Sequence, residues 1–255
     1  MELDGSAAKA GVKLLTFEEL TSTNARALEE ARRGERGPLW IVAKTQSAGR
    51  GRRGRAWVSK PGNLYATLLL ADPAPGSHVA QLSFVAALAV HDAVAETAAM
   101  LGPHLTLKWP NDVLCGGAKL SGILLEGEGN AVALGIGVNC AHHPEGTEYP
   151  ATDLNAAGAH VTAAGLFTAL SRAMVVRIAQ WRRGEGFAEI RAAWLKRADG
   201  LNKPIRVRLH DRETAGLFET LDETGRLVLR RPDGALEMIA AGDVFPLRAA
   251  GVEPA

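Results

Sequence analysis

Gln46-Ser47-Ala48-Gly49-Arg50-Gly51-Arg52-Arg53-Gly54-Arg55-Ala56-Trp57 separates two apolar runs, Leu39–Lys44 and Asn63–Leu70, that read as buried strands. Three glycines let the loop backbone reach positive φ and approach a ligand closely. Four arginines supply fixed forks of donors for carboxylate or phosphate. Successive N–H groups in such a turn can also form an anion nest. So much like charge repels itself, so the loop is expected to be mobile when empty and ordered with ligand. An arginine–glycine segment reads equally as a solvated basic loop or a nucleic-acid contact when it stands alone. Its place between two strands of a compact domain favours a lid over a small anionic substrate, because long loops there tend to be functional.

Working outward, Ser22 and Thr23 are good N-cap types ahead of a helical pattern, Asn24–Arg33. After the second strand, Asp72–Gly76 is turn chemistry, and a long helix is expected from Ser77 or His78 to about Met100. His104–Trp109, Val113–Leu114, Lys119–Glu126 and Ala131–Val138 read as strands. Ala141–Gly158 is irregular and rich in turn formers. Thr162 caps a further helix, and Phe187–Arg197 is another. The composition changes at Asp199-Gly200. Beyond it lie short strands with tight turns: Ile205–Leu209, Thr214–Leu221, Arg226–Arg230, Leu236–Ile239 and Val244–Leu247. The expected organisation is an α/β (α+β) domain over residues 12–200 and a separate small β-barrel over 203–249, the latter small for independent stability.

The 255 residues suit this division, and a net charge of +1 excludes a general polyanion-binding surface, so positive character must be local. Cys115 and Cys140 form no metal-type pair and read as buried apolar residues, which fits a reducing, cytoplasmic setting. Met1–Gly11 carries no signal-peptide pattern. Val79–Met100 is interrupted by Gln81, Ser83, His91, Asp92 and Glu96, too polar for a membrane span.

Further segments carry chemistry. In Lys108-Trp109-Pro110-Asn111-Asp112 a strand ends and presents a lysine for phosphate oxygens, an amide for phosphate or base, and a carboxylate for Mg²⁺. The same pentapeptide reads equally well as a plain turn. Lys119 opens the apolar strand Lys119–Glu126 and sits either at a solvated end or in a pocket, while Gly122 is costly there unless something approaches the backbone. Gly135-Ile136-Gly137-Val138-Asn139 again suggests close approach, with an amide at the strand end. There is no Rossmann fingerprint, Walker A sequence or nucleophile elbow, so any nucleotide binds by another geometry. His142-His143 reads as a surface pair. Phosphate and carboxylate handling is the chemistry that remains.

Ser22-Thr23-Asn24, the Gln46–Trp57 loop, the Lys108–Asp112 segment, Lys119–Gly122 and Gly135–Asn139 occur in the order and spacing found in biotin protein ligases, also called biotin–[acetyl-CoA carboxylase] ligases, which the chain resembles from about Leu14 to Leu247. The resemblance implies a mixed-sheet catalytic domain related to lipoate ligases and class II aminoacyl-tRNA synthetases, with a C-terminal SH3-like barrel. It implies ATP and Mg²⁺, with biotin as substrate, and a two-step reaction. Biotin is activated as biotinyl-5′-AMP, then passed to a lysine of a biotin carboxyl carrier protein. By resemblance, Ser22, Thr23 and Gln46 surround biotin's ureido ring and Asn24 belongs to the same biotin site, while Gly49, Arg50, Gly51 and Arg52 fold over biotin and the acyl phosphate. Gly122 lets biotin lie against the backbone. Arg53, Arg55, Trp57, Lys108, Asn111, Asp112 and Asn139 hold ATP or the adenylate, with Asp112 toward Mg²⁺. Lys119 and Arg52 carry catalysis by neutralising two anions at the moment of attack.

Some members of that family carry an N-terminal winged helix–turn–helix. Too few residues precede Ser22 for such a module, so a monofunctional ligase without DNA or membrane binding is expected. A homodimer through the sheet is compatible with the resemblance. The rivals are a lipoate or octanoyl transferase of the same superfold, against which the arginine loop and Trp57 argue, and a nucleic-acid module, against which the near-neutral charge argues.

Overall fold

The computed structural model describes residues 1–247. The last two residues assigned to the barrel, 248 and 249, lie outside them. In chain order the elements are α1 (Gly5–Lys9), β1 (Lys13–Leu20), α2 (Thr23–Arg32), β2 (Leu39–Gln46), β3 (Leu64–Ala71), α3 (Gly76–Val79), α4 (Leu82–Thr97), β4 (Leu105–Lys108), β5 (Asp112–Cys115), β6 (Ala118–Glu128), β7 (Ala131–Val138), α5 (Ala163–Trp181), α6 (Phe187–Leu195), β8 (Pro204–Arg208), β9 (Glu213–Leu221), β10 (Leu227–Arg230), β11 (Leu236–Ile239) and β12 (Asp243–Pro246).

β1 to β7 form one sheet in the order β1-β2-β3-β7-β6-β5-β4. Only β1 and β2 run parallel, so the sheet is mixed, as expected. α1 and β1 have no counterpart in the sequence reading. β1 is an edge strand, and its exposure pattern lacks the clean alternation that marks a half-buried strand. The single helix expected up to Met100 is instead α3, α4 and a 3₁₀ segment, Ala99–His104, that contains Pro103. Between α3 and α4, Gln81 is buried, and its Oε1 accepts from Trp181 Nε1 at 2.8 Å.

α4 is apolar on every side, and Leu82, Phe84, Val85, Leu88, Val90 and Val94 are all buried. Such a helix belongs at a protein's centre or in a membrane. Gly76–Thr97 has the length and apolarity of a span despite its polar interruptions, so burial against α5, α6 and the sheet is what marks it as a core helix. α4 and α5 cover one face of the large sheet. The other face carries α2 over a small cluster of Ala27, Leu39, Ile41, Leu69 and Ala133. α2 is short, so part of this second face stays open.

β8 to β12 form a five-stranded antiparallel sheet ordered β11-β10-β9-β8-β12, the SH3-like unit expected. Its core is continuous with that of the large sheet, through Ile205, Val207, Phe218 and Leu229 on one side and Phe84, Phe187 and Trp194 on the other. The Trp109 indole N–H donates to Gly225 O at 3.0 Å. Gly225 has φ +90°, and a Cβ there would meet the Phe84 ring at 2.8 Å, so the hairpin turn fits the core only as glycine.

Candidate functional site

The strand register explains why the chemical motifs meet. Tyr65 of β3 pairs with Ala43 near the end of β2, and Leu64 pairs with Val138 at the end of β7. Val138 pairs with Ser121 early in β6, Gly122 with Asp112 at the start of β5, and Asp112 with Lys108 at the end of β4. Gln46, Lys108, Asp112, Lys119 and Asn139 therefore lie along one edge of the sheet, beside the start of α2. They surround a cavity of about 480 Å³ on the face α2 leaves open. Of the residues given a binding or catalytic role from the sequence, Gly49 and Arg53 alone do not line it.

One end of the cavity is polar and tightly tied. Ser22 caps α2, its Oγ accepting from Ala25 N at 3.4 Å, while Thr23 begins the helix. Gln46 Oε1 accepts from Thr23 N (2.8 Å) and Thr23 Oγ1 (3.1 Å), and its Nε2 donates to Ser59 at 3.0 Å. The Thr67 hydroxyl, buried on β3, donates to Asn24 Oδ1 at 2.7 Å, and Asn24 Nδ2 donates to Glu126 Oε2 at 2.9 Å. Neither Thr67 nor Glu126 stands out in the sequence, because each lies in a strand that reads as core.

The glycines of β6 and β7 admit close neighbours, as the sequence implied, and those neighbours belong to the chain itself. A Cβ on Gly135 would stand 2.3 Å from Asn24 Oδ1. A Cβ on Gly137 would stand 2.6 Å from the Trp57 indole, and one on Gly122 3.0 Å from it. Trp57 lies flat on this glycine floor with its Nε1 buried and unpartnered, and Lys119 Nζ sits 5.6 Å from its ring centroid. Gly49 cannot carry a side chain either, since its Cβ would be 2.6 Å from Trp57 O.

The loop is a small hairpin, with Gly51 N bonded to Arg55 O at 2.7 Å and Trp57 N to Gly49 O at 2.9 Å. Carboxylates outside the loop relieve the self-repulsion expected of it. Arg50 meets Glu126 at 3.2 Å, while Arg53 (3.2 Å) and Arg55 (2.5 Å) both donate to Asp243, at the start of β12. Burial alone would raise the Asp243 carboxyl, but the hydrogen bond and charge of Arg55, with Arg208 and Arg53, outweigh it and hold the group below the usual carboxylate range. Arg52 points inward, donating to Asn111 Oδ1 (3.1 Å) and Gly242 O (3.3 Å); burial lowers its pKa despite the pull of Asp243 and Asp112. The C-terminal sheet thus contributes to the site, which its sequence gave no reason to expect.

Opposite the loop, Lys119 Nζ stands 2.7 Å from Asp112 Oδ1, an ion pair in the pocket that resolves the lysine's two readings in favour of the pocket. The pairing is poorly aligned and leaves Oδ1 without a directed hydrogen bond. Lys108 is buried, and that burial pushes its amine down to about 8. Asn111 Nδ2 donates to Ile123 O at 2.6 Å, so the Lys108–Asp112 turn is stapled to β6, where it lines the cavity. Among the described residues no three His, Cys, Asp or Glu side chains gather as a metal site. Asp112 could therefore hold a divalent ion only with outside donors such as phosphate.

Two readings are corrected. His143 is no free surface residue: its Nδ1 lies 2.6 Å from buried Asp153. His142 is exposed. The segment from Ala141 to Gly158, which offered no motif, lines the cavity through Pro144, Glu145, Thr147, Glu148, Tyr149 and Ala151. Asn139 Nδ2 donates to Thr152 O at 3.0 Å, while Lys119 N donates to Pro150 O (2.8 Å) and Thr152 N to Lys119 O (3.0 Å), so the segment is docked along the start of β6.

A mixed sheet, a pocket lined by several cations and a small C-terminal sheet fit an enzyme of the acyl-activating ligase class. The chain matches the biotin/lipoate A/B protein ligase family over residues 16–142 and the biotin protein ligase C-terminal domain over 200–246. It is 43% identical to the biotin–[acetyl-CoA-carboxylase] ligase of Paracoccus denitrificans, covering 88% of this chain and 96% of that one. Its identity to the Mycobacterium tuberculosis enzyme of the same name is 34%, covering 89% and 86%. The solved biotin protein ligase of Aquifex aeolicus in complex with biotin and ATP superposes with a TM-score of 0.80 at 27% identity, covering 93% and 99%. The chain belongs to the biotin protein ligase family.

Proposed function

We propose that the protein activates biotin with ATP and transfers it to a lysine of a biotin carboxyl carrier protein, in the cytoplasm, through a catalytic domain over 12–200 and a C-terminal domain over 203–249. The observation that carries this reading is the convergence of Arg52, Lys108 and Lys119 on one cavity whose far end is the neutral, hydrogen-bonding group of Ser22, Thr23 and Gln46. A neutral polar ring at one end and cations at the other suit a molecule with a ureido head and a carboxylate tail.

In the first step a carboxylate oxygen of biotin attacks the α-phosphorus of ATP and pyrophosphate leaves. In the second the carrier's neutral ε-amine attacks the acyl carbon, an amide forms, AMP leaves and the amine's proton passes to solvent. The chain's task is to align two anions and offset their repulsion. Lys119 lies between the two ends of the cavity, where carboxylate and α-phosphate would meet. Arg52, held by Asn111 and the Gly242 carbonyl, faces it from the loop. Lys108 and Arg55 line the remaining cationic part, suited to phosphates. Donors of this kind contribute about 3–4 kcal/mol each to a transition state in a dry site. Asp112, with its poorly satisfied oxygen, is the residue to hold Mg²⁺ together with phosphate oxygens, and the ion would neutralise charge on the leaving pyrophosphate. A homodimer through the sheet belongs to the same proposal.

Incubating the protein with ATP, Mg²⁺ and biotin should release pyrophosphate, and adding carrier protein should turn the enzyme over. No release with biotin, but release with lipoate or octanoate, would assign the chain to the neighbouring acyl ligases. Sedimentation with and without biotin tests the dimer.

A further inference from the structure

The cations of the pocket are not equally compensated. Lys119 is paired with Asp112, Arg50 with Glu126, and Arg55 with Asp243. Lys108 is 8% exposed, and among the described residues no carboxylate oxygen lies within 4.0 Å of its amine. What the ammonium does meet is an aromatic face, with Nζ 3.3 Å from the centroid of the Tyr149 ring. Tyr149 stacks on Phe245, at 4.7 Å and 19° between planes. The guanidinium groups of Arg206 and Arg208 lie over the Phe245 ring at 4.7 and 4.9 Å. The result is a ladder that joins β4, the segment after Asn139, and the C-terminal sheet.

We infer that the Tyr149 ring, backed by Phe245, is a positioning platform that holds the Lys108 ammonium in the pocket, charged and uncompensated, for a phosphate of the nucleotide. The inference rests on the ligase reading above. A carboxylate in the platform's place would hold the lysine as firmly, but it would cancel its charge and repel the incoming phosphate. An aromatic face attracts a cation through its quadrupole and carries no net charge. It therefore leaves the charge free to pair with an anionic ligand. The longer-range charges around Lys108 are Asp112 on β5, Asp243 on β12 and Asp199 after α6, which favour the ammonium, and Lys119 on β6, which opposes it. The segment carrying Tyr149 is fixed for this purpose: Pro150 and Thr152 are bonded to the backbone of Lys119, and Asp153 holds His143. The Tyr149 hydroxyl is buried without a partner, so the platform acts through its ring.

The test is steady-state pyrophosphate release by the full chain, with biotin affinity measured separately by calorimetry without ATP. Tyr149→Leu keeps the site apolar but removes the π-face; it should raise KM for ATP about ten-fold while biotin affinity stays within about two-fold. Tyr149→Phe should restore the wild-type KM. In a Lys108→Met background, Tyr149→Leu should add nothing further. Equal losses in Tyr149→Phe and Tyr149→Leu, additive losses in the double variant, or a parallel loss of biotin affinity would each overturn the platform. If the unmodified protein releases no pyrophosphate with biotin and ATP, the ligase reading itself fails, and this control separates the two.

Discussion

The Gln46–Trp57 loop and the Ala141–Gly158 segment both line one cavity, yet they are held in different proportions by charge. Three of the loop's four arginines are tied to carboxylates, through Glu126 and Asp243. The segment is held mainly by neutral hydrogen bonds to the backbone of Lys119 and the side chain of Asn139, with a half-buried histidine–aspartate pair behind it and an exposed Glu148–Arg208 ion pair at its outer side. A charged tether can be exchanged for a charged ligand, whereas a ladder of neutral bonds is costly to break and offers a ligand little in return. The contrast suggests a division of labour in which the loop responds to the substrate's anions and the segment keeps Lys108 and Lys119 in place.

The largest expected effect comes from the cation between the two regions. Lys119→Ala should lower the rate of adenylation by about 10²–10³-fold, the range for removal of one donor to a developing anion. Circular dichroism should remain that of the folded protein, because Lys119 holds the Ala141–Gly158 segment through its backbone, which alanine keeps. Near-normal turnover would return Lys119 to the role of a solvated strand end.

Next is the loop's inward arginine. Arg52→Gly removes the donors to Asn111 and to Gly242 O, and with them the side chain that faces Lys119. Release of the adenylate should speed up by about ten-fold or more, a loss of roughly 1.4 kcal/mol or greater in retention. Lysines on unrelated proteins should then become biotinylated. An unchanged off-rate with an unchanged product spectrum would count against a caging role.

The third effect separates the regions by pH. Burial brings the Lys108 amine to about 8. Below that pH the ammonium is present and attracts phosphate; above it the amine is neutral and the attraction is lost. Since kcat/KM reports the free enzyme, its value for ATP should fall toward a ten-fold loss per pH unit above about 8. The limb should vanish in Lys108→Met, at a lower overall level. The biotin dissociation constant should show no such limb in that range. A limb common to both substrates would place the titrating group elsewhere.

How much of this was legible in the sequence follows from the same contrast. Unpaired charge and glycine in unusual density marked the loop, and Lys108, Asp112 and Lys119 stood out as charges at the ends of apolar runs. The strands followed from those runs, and the mixed sheet from the family resemblance. The partners were hidden: Glu126 and Asp243 are ordinary acids at strand ends, and Thr67 sits inside a run that reads as core. Tyr149 lies in a segment without periodicity, and only the docking of that segment on the Lys119 backbone, with the registers of β4, β5 and β6, brings it to Lys108. β1 escaped notice because an edge strand buries neither face regularly. Glycine in β7 announced close approach but not its author, since Gly137 could admit a ligand or, as observed, the indole of Trp57.

The smallest expected effect tests where Asn139 belongs. The sequence placed its amide on adenine or phosphate, but in the structure that amide donates to Thr152 O at 3.0 Å and is buried. A buried amide already bonded to backbone has one donor fewer to offer a ligand. Asn139→Ala should therefore reduce stability by about 1 kcal/mol, the net worth of a neutral hydrogen bond, seen as a fall in Tm of roughly 2–4 °C for a chain of this size. Turnover at saturating substrates should stay within about three-fold, since the bonds from Lys119 to Pro150 and Thr152 still hold the segment. If Tm is instead unmoved and ATP affinity falls steeply, the amide serves the nucleotide, and the segment's anchorage rests on its other bonds, among them those to the Lys119 backbone and the His143–Asp153 pair.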